Sequence, residues 1–308
     1  MLKVYLVQID SAKGSKSENL ARAKKMILDA NPAEGSLILL PEMFATGYIP
    51  ANLEAAAEDF SSESAGETAR MLSEVTSATG CTIMGAGITN AGNKFYNHVS
   101  IYAPENTQEV AGYDKMNLFF PEKESFKAGE KINLFNIKEI PAFAGMTNND
   151  AELTSNTGMT SNAGMASNAE TIECSWKVAS FICYDLRFPE LFREATKQGA
   201  NLITVQAAWP AKRKAHWETL LKARAIENQV YIAAVNAVST VQDLKTPLAG
   251  TSLIISPNGD VIAEGSAQSE EIITAELDLQ AEKDYRKSFP VLEGMIRGCE
   301  GWDVGCGM

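Results

Sequence analysis

Short apolar runs that stop at a proline, a turn or a sudden polar residue recur along the chain, alternating with stretches whose apolar positions fall three or four apart. Residues 1–10 predict a first strand. From Ser17 onward, Leu20, Ala23, Met26 and Ile27 share one face of a helix. Residues 36–40 read as a buried strand closed by Pro41, 63–79 as a helix, and 82–88 and 97–103 as two strands about a turn near Asn90 and Gly92. A short strand follows at 131–137. Residues 178–182 form another buried strand, and Pro189 fits the first turn of a helix over 190–198 that Gly199 stops. Residues 201–206 return as a strand, 216–228 carry a long helix, and 230–238, 251–256 and 272–277 are further strands, with 257–260 a turn. This alternation predicts an α/β fold.

Two strand ends carry chemistry. Cys183 follows Val178-Ala179-Ser180-Phe181-Ile182 and precedes the polar corner Tyr184-Asp185-Leu186-Arg187. A strand-to-helix corner is where α/β folds expose a nucleophile, since the strand end is rigid and the next backbone N–H groups point outward. A free cysteine is also commonly a small buried residue, and both readings stand on this pattern alone. Glu42 repeats the design: Pro41 ends the strand before it, and apolar Met43 and Phe44 surround it, as suits a proton carrier. Its ordinary alternative is a solvated loop glutamate. Lys115 lies in Tyr113-Asp114-Lys115-Met116-Asn117-Leu118-Phe119, either covering apolar surface with its stem or stabilising developing negative charge. Glu122 and Glu124 follow in what reads as a solvated loop, and His98 as a structural strand residue.

Composition narrows the function classes. With 308 residues, 45% hydrophobic and 21% charged, the chain is globular, and its net charge of -12 argues against nucleic acid or an anionic membrane as partner and for a small-molecule substrate. No apolar run is long enough to span a bilayer, and the first residues turn polar too quickly for a signal peptide. Cys81, Cys174, Cys183, Cys299 and Cys306 are scattered without a CxxC pair, which suggests neither a disulfide framework nor a zinc site and points to a reducing, cytoplasmic compartment. His98 and His216 are the only histidines, so general-base work falls to carboxylates.

Between 140 and 169 the near-repeats Thr154-Ser155-Asn156-Thr157-Gly158-Met159 and Thr160-Ser161-Asn162-Ala163-Gly164-Met165 lack the apolar surface to offset the entropy of ordering them. They read as a flexible insertion in a hairpin, a small solenoid being the alternative. The glycine-rich tail 294–308 reads as a loose terminus, with redox roles for Cys299 and Cys306 the less favoured reading.

The segments Leu40-Pro41-Glu42-Met43-Phe44, Tyr113-Asp114-Lys115-Met116-Asn117-Leu118-Phe119 and Ile182-Cys183-Tyr184-Asp185-Leu186-Arg187-Phe188-Pro189-Glu190 closely resemble the catalytic segments of the nitrilase superfamily of carbon–nitrogen hydrolases. Trp209-Pro210, His216-Trp217, Ala223-Arg224-Ala225-Ile226-Glu227-Asn228-Gln229 and Tyr285-Arg286-Lys287-Ser288-Phe289-Pro290 are similar to its omega-amidase branch. The resemblance covers nearly the whole chain except the insertion and the tail. It implies one domain folded as a four-layer α/β/β/α sandwich, a homodimer or higher homo-oligomer, no metal or organic cofactor, and hydrolysis of the terminal amide of a small acid such as 2-oxoglutaramate through a thioester. Cys183 would be the nucleophile, Glu42 the proton carrier, Lys115 and the Tyr184 N–H the oxyanion donors, and Trp209 a wall for the substrate. Counting back from Phe126-Lys127-Ala128-Gly129 selects Glu122 as the family's second glutamate, with Glu124 the alternative. N-carbamoyl amino acid or nitrile hydrolysis is the alternative activity, and a non-enzymatic binding module is disfavoured by the presence of all three chemical residues.

Overall fold

The computed structural model describes residues 1–11, 14–60, 66–92, 94–106, 108–138, 175–240 and 245–294. The repeats of 140–169, the tail beyond Gly294, Cys174, Cys299, Cys306 and the start of the expected 63–79 helix lie outside the described residues. In chain order the elements are β1 (Leu2–Gln8), α1 (Lys16–Asp29), β2 (Leu37–Leu39), α2 (Leu53–Ala56), α3 (Glu67–Thr79), β3 (Thr82–Asn90), β4 (Phe95–Tyr102), β5 (Ala111–Asp114) and β6 (Leu134–Lys138). They continue as β7 (Ser175–Ile182), α4 (Pro189–Lys197), β8 (Leu202–Ala207), α5 (Lys214–Asn228), β9 (Tyr231–Asn236), β10 (Leu253–Ile255), β11 (Val261–Glu264), β12 (Glu271–Leu277) and α6 (Leu279–Ser288).

Two six-stranded sheets form, one ordered β12-β1-β2-β3-β4-β5 and the other β11-β10-β9-β8-β7-β6. Each has three parallel central strands, β1-β2-β3 and β7-β8-β9, flanked by antiparallel neighbours. Parallel strands need a connection that crosses the sheet face, and α1 and α4 supply such crossings. The sheets stack through a shared apolar core that takes in Leu6, Leu39, Met84 and Val99 of the first and Val178, Leu202 and Ala233 of the second. On the outer face of the first sheet, Tyr5, Val7 and Ile38 pack against Leu20, Ala23 and Ile27 of α1 and Leu72 and Val75 of α3. The arrangement is the expected α/β/β/α sandwich.

Local sequence explains the element ends. Ser15 caps α1, its hydroxyl accepting from the Glu18 N–H while the Glu18 carboxylate accepts from the Ser15 N–H. Gly80 ends α3 at φ 65°, a left-handed conformation that an L side chain resists. The short strand expected at 131–137 sits slightly later, as β6. Four elements were not anticipated from periodicity: α2 and β5 are very short, β11 is largely exposed, and α6 is mostly polar and starts where Asp278 accepts from the N–H groups of Gln280 and Ala281. Among the described residues, no helix is long and apolar enough to cross a membrane.

Candidate active site

The carboxyl ends of β2 and β7 point the same way on opposite layers, and each feeds a tight turn. After β2, Pro41 leads to Glu42, whose side chain is fully buried. Its Oε2 accepts the Ala208 N–H at 2.9 Å, a bond that fastens it to the backbone just beyond β8 in the other sheet. Its Oε1 accepts from Lys115 Nζ at 2.8 Å and from Asn97 Nδ2 at 2.7 Å. Lys115 leaves the end of β5 and is also fully buried, which overturns the surface-lysine alternative; the solvated reading of Glu42 falls with it.

Glu122 closes the cluster. Its Oε1 accepts from Lys115 Nζ at 2.8 Å and from Asn97 Nδ2 at 2.9 Å, and its Oε2 from the Phe119 N–H at 2.6 Å. The loop read as solvated is a 3-10 turn, Phe120–Glu124, that buries Glu122 and leaves Glu124 exposed, so Glu122 and not Glu124 joins the cluster. Gly129 supports the far side: a Cβ there would run into the Asp114 carbonyl, and its N–H binds the Lys115 carbonyl at 2.9 Å. Burial opposes the Lys115 charge, but Glu42, then Cys183 and Glu122, outweigh it and push the ammonium pKa above its usual value. Burial lifts Glu122 above the usual carboxylate range; Lys115 opposes this and Glu42 adds to it.

Cys183 sits at the end of β7 with φ 45°, a strained backbone conformation for a side-chain-bearing residue. Its buried thiol stands beside the Glu42 carboxylate, close enough to feel that charge. Burial pushes the thiol pKa well up, Glu42 adds to this and Lys115 opposes it, so the sulfur is protonated at rest. Asp185, two residues on, holds the corner. Its fully buried carboxylate accepts from Ile182 N at 3.1 Å, Tyr113 OH at 2.9 Å, Asn117 N at 2.7 Å and Asn117 Nδ2 at 3.1 Å. One side chain thus ties the turn bearing the thiol to the loop that follows Lys115. Burial raises Asp185 to about 6 against the pull of Lys115 and these donors.

Above the thiol opens a cavity of about 490 Å³ lined by Tyr48, Cys183, Tyr184 and Trp209 among others. Trp209 is fixed by its indole N–H on the Arg213 carbonyl at 2.8 Å and its backbone N–H on Asn236 Oδ1 at 2.7 Å. Arg187 lies 4.7 Å over its ring, and Lys212, Arg213 and Lys245 complete a cationic mouth in which no described acid takes part. Tyr48, from the turn after Glu42, lies near both glutamates, and burial together with the Glu42 and Glu122 charges holds its phenol protonated. Among the described residues no group of three or more His, Cys, Asp or Glu is arranged to hold a metal ion.

The family model of the carbon-nitrogen hydrolases matches residues 3–287. The chain belongs to the carbon-nitrogen hydrolase family. Within that family it is 30% identical over 292 residues to the 2-oxoglutaramate amidase of Bacillus subtilis, covering 94% of this chain and 96% of the relative. It is also 30% identical to the omega-amidase NIT2 of Xenopus tropicalis, over 90% of this chain and 88% of that one. The Nit3 structure of Saccharomyces cerevisiae, a member of branch 10 of the nitrilase superfamily, superposes with a TM-score of 0.72 at 24% identity over 94% of each chain, which shows the shared fold.

Of the residues expected at this carbon-nitrogen hydrolase site, Glu42, Lys115, Glu122 and Cys183 come together in one buried cluster, and Tyr184 and Trp209 line the cavity beside the thiol. His98 lies outside it, on the outer face of β4 between Glu109 and Asp114. Sequence reasoning missed Tyr48, Asn97 and the bracing role of Asp185. A signal for Asn97 existed: alternation along β4 puts it on the same face as Val99 and Ile101, an amide where an apolar side chain is the rule.

Proposed function

We propose that the chain hydrolyses the terminal amide of a small carboxylic acid, the reaction of an omega-amidase, with Cys183 as nucleophile. The observation that carries this reading is the dry cluster at the cavity floor, in which the buried Cys183 thiol stands beside a buried Glu42 that Lys115 also holds. Because the thiol is protonated at rest, attack and proton transfer must be joined: the sulfur adds to the amide carbon as Glu42 takes its proton. The carbonyl oxygen becomes an oxyanion. Two of the three Lys115 ammonium hydrogens are committed to Glu42 and Glu122, which leaves one donor for that oxyanion beside the Tyr184 N–H. Glu42 returns its proton to the departing nitrogen, ammonia leaves, and a thioester remains on Cys183. Water, deprotonated by Glu42, then adds to the thioester; the carboxylate product departs and the thiol is restored. Glu122 braces Lys115 throughout.

Arg187 and the cationic mouth suit a substrate carboxylate, and Trp209 and Tyr184 suit the short carbon chain between carboxylate and amide. This favours ω-amides of carboxylic acids over neutral nitriles. N-carbamoyl amino acids share the carboxylate and differ by releasing carbon dioxide with ammonia. The expected result with 2-oxoglutaramate or glutaramate is ammonia release without carbon dioxide, lost by a factor of about 10³ or more in Cys183→Ala. A substrate-dependent mass gain on Cys183 in a rapid acid quench would mark the thioester. Turnover that survives Cys183→Ala would overturn the assignment. The same reading takes the protein as a cytoplasmic homodimer, with exposed Ile226, Phe289 and Val291 as apolar surface a second copy could cover, and sedimentation checks the oligomeric state.

A further inference from the structure

Among the described residues, Asn97 is the neutral side chain that hydrogen-bonds both buried glutamates, and it is bonded in an uncommon way. Its Nδ2 donates to Glu42 Oε1 at 2.7 Å and to Glu122 Oε1 at 2.9 Å. Lys115 Nζ donates to the same two oxygens at 2.8 Å each. Two acceptors and two donors therefore alternate around a closed ring, with all four side chains fully buried. The Asn97 carboxamide oxygen has no hydrogen-bond partner among the described residues.

Charge counting shows what the donors accomplish. Glu42 and Glu122 bring two negative charges to a dry site and Lys115 returns one positive charge. The remaining groups facing the ring offer no second cation: they are the Cys183 thiol, the Tyr48 phenol and, beyond Lys115, the Asp185 carboxyl. His98, the next residue along β4, turns to the opposite face and is occupied by Glu109 and Asp114. Donors aimed at a carboxylate favour its ionised form. Asn97 also binds the Lys115 backbone, its carbonyl accepting the Lys115 N–H at 2.9 Å, a contact that substitution of the side chain leaves in place.

We propose that Asn97 is a positioning residue for the hydrolytic reaction: its amide holds the two glutamates apart on either side of Lys115 and keeps the ring free of an extra proton, so that Glu42 can accept the one from Cys183. Without those two hydrogen bonds the ring takes up a proton at higher pH, and the base is occupied before the thiol can use it. This inference rests on the amidase reading for its turnover assay, but it has a readout independent of turnover, the alkylation of Cys183.

The test uses the full-length chain with Asn97→Ala, Asn97→Ser and Asn97→Asp, recording kcat/KM for ammonia release from glutaramate and the iodoacetamide rate at Cys183 across pH. In Asn97→Ala the acid limb of both profiles is expected to move up by about one pH unit, with kcat at neutral pH reduced about tenfold or more. Asn97→Asp, which adds a third carboxylate, should move the limb further; Asn97→Ser, which keeps one small donor, should fall between wild type and alanine and covers the case in which alanine fails to fold. Profiles that keep the wild-type shape and position, with activity lowered equally at every pH, would mean that Asn97 only fills space and would overturn the proposal. If wild-type protein releases no ammonia from any ω-amide, the amidase reading fails, while the alkylation profiles still decide the role of Asn97.

Discussion

In the proposed reaction Asp185 takes no part in bond making, yet it holds the groups that do. Four donors from three parts of the chain converge on its carboxylate, and two of them belong to Asn117, just past Lys115. Replacing it with asparagine turns an amide donor toward groups that are donors themselves. Asp185→Asn is therefore expected to lower kcat about tenfold or more through misplacement of Lys115 and Cys183, with KM changing less; steady-state ammonia release measures the split. At this scale the sequence was informative wherever a chemical group follows directly on an apolar run, as Glu42 and Cys183 do. It was silent where function depends on burial created by distant segments. Nothing local distinguishes Glu122 from Glu124 until a 3-10 turn buries one and exposes the other.

Among the elements, β4 carries unlike tasks on its two faces. Inward it presents Asn97 to the buried ring of Glu42, Lys115 and Glu122, and outward it presents His98, 2.7 Å from both Asp114 and Glu109 and stacked on Phe60. Burial opposes the His98 charge, but the two carboxylates outweigh it and lift its pKa to about 9. A group whose folded value lies above its unfolded value adds stability that is complete below the unfolded pKa, about 6.5, and is lost as pH rises through the folded one. Unfolding by urea should accordingly show a loss on the order of 3 kcal/mol between about pH 6.5 and 9.5, and His98→Gln should flatten that slope. The main strands and helices were legible because their apolar periods are long. The polar α6 was not, since its helical state comes from the Asp278 cap and an ion pair between Arg286 and Glu282 at 2.7 Å rather than from an apolar stripe. β6 and β7 offer a further check: Lys138 and Ser175 are register partners in an antiparallel pair, so an Asn-Gly turn in place of residues 139–174 should close the hairpin and leave turnover within about twofold.

For the whole molecule, the charge balance misleads when read as a single figure. A chain with net charge -12 gathers Arg187, Lys212, Arg213 and Lys245 about the mouth of its cavity. Acidic surface keeps such a protein apart from its neighbours while the local cations draw an anionic substrate inward. For glutaramate, kcat/KM is expected to fall several-fold between about 0.02 and 0.5 M salt, with kcat nearly constant, and Lys212→Ala combined with Lys245→Ala should weaken that dependence. The sandwich itself was legible only through resemblance, because no periodicity tells which sheet a strand will join or that two sheets will face each other.

The bond from the Ala208 N–H to Glu42 has a mechanical meaning at this largest scale. It means that Glu42, the proposed proton acceptor, is rooted in one layer and aimed by the other. Sliding of one sheet over its mate, by even the width of a bond, would swing the carboxylate off the sulfur, and a displacement of about 1 Å can cost a reaction two orders of magnitude. The seam between the layers therefore acts as the alignment stage of the catalyst, and its packing answers to selection on rate as well as on folding.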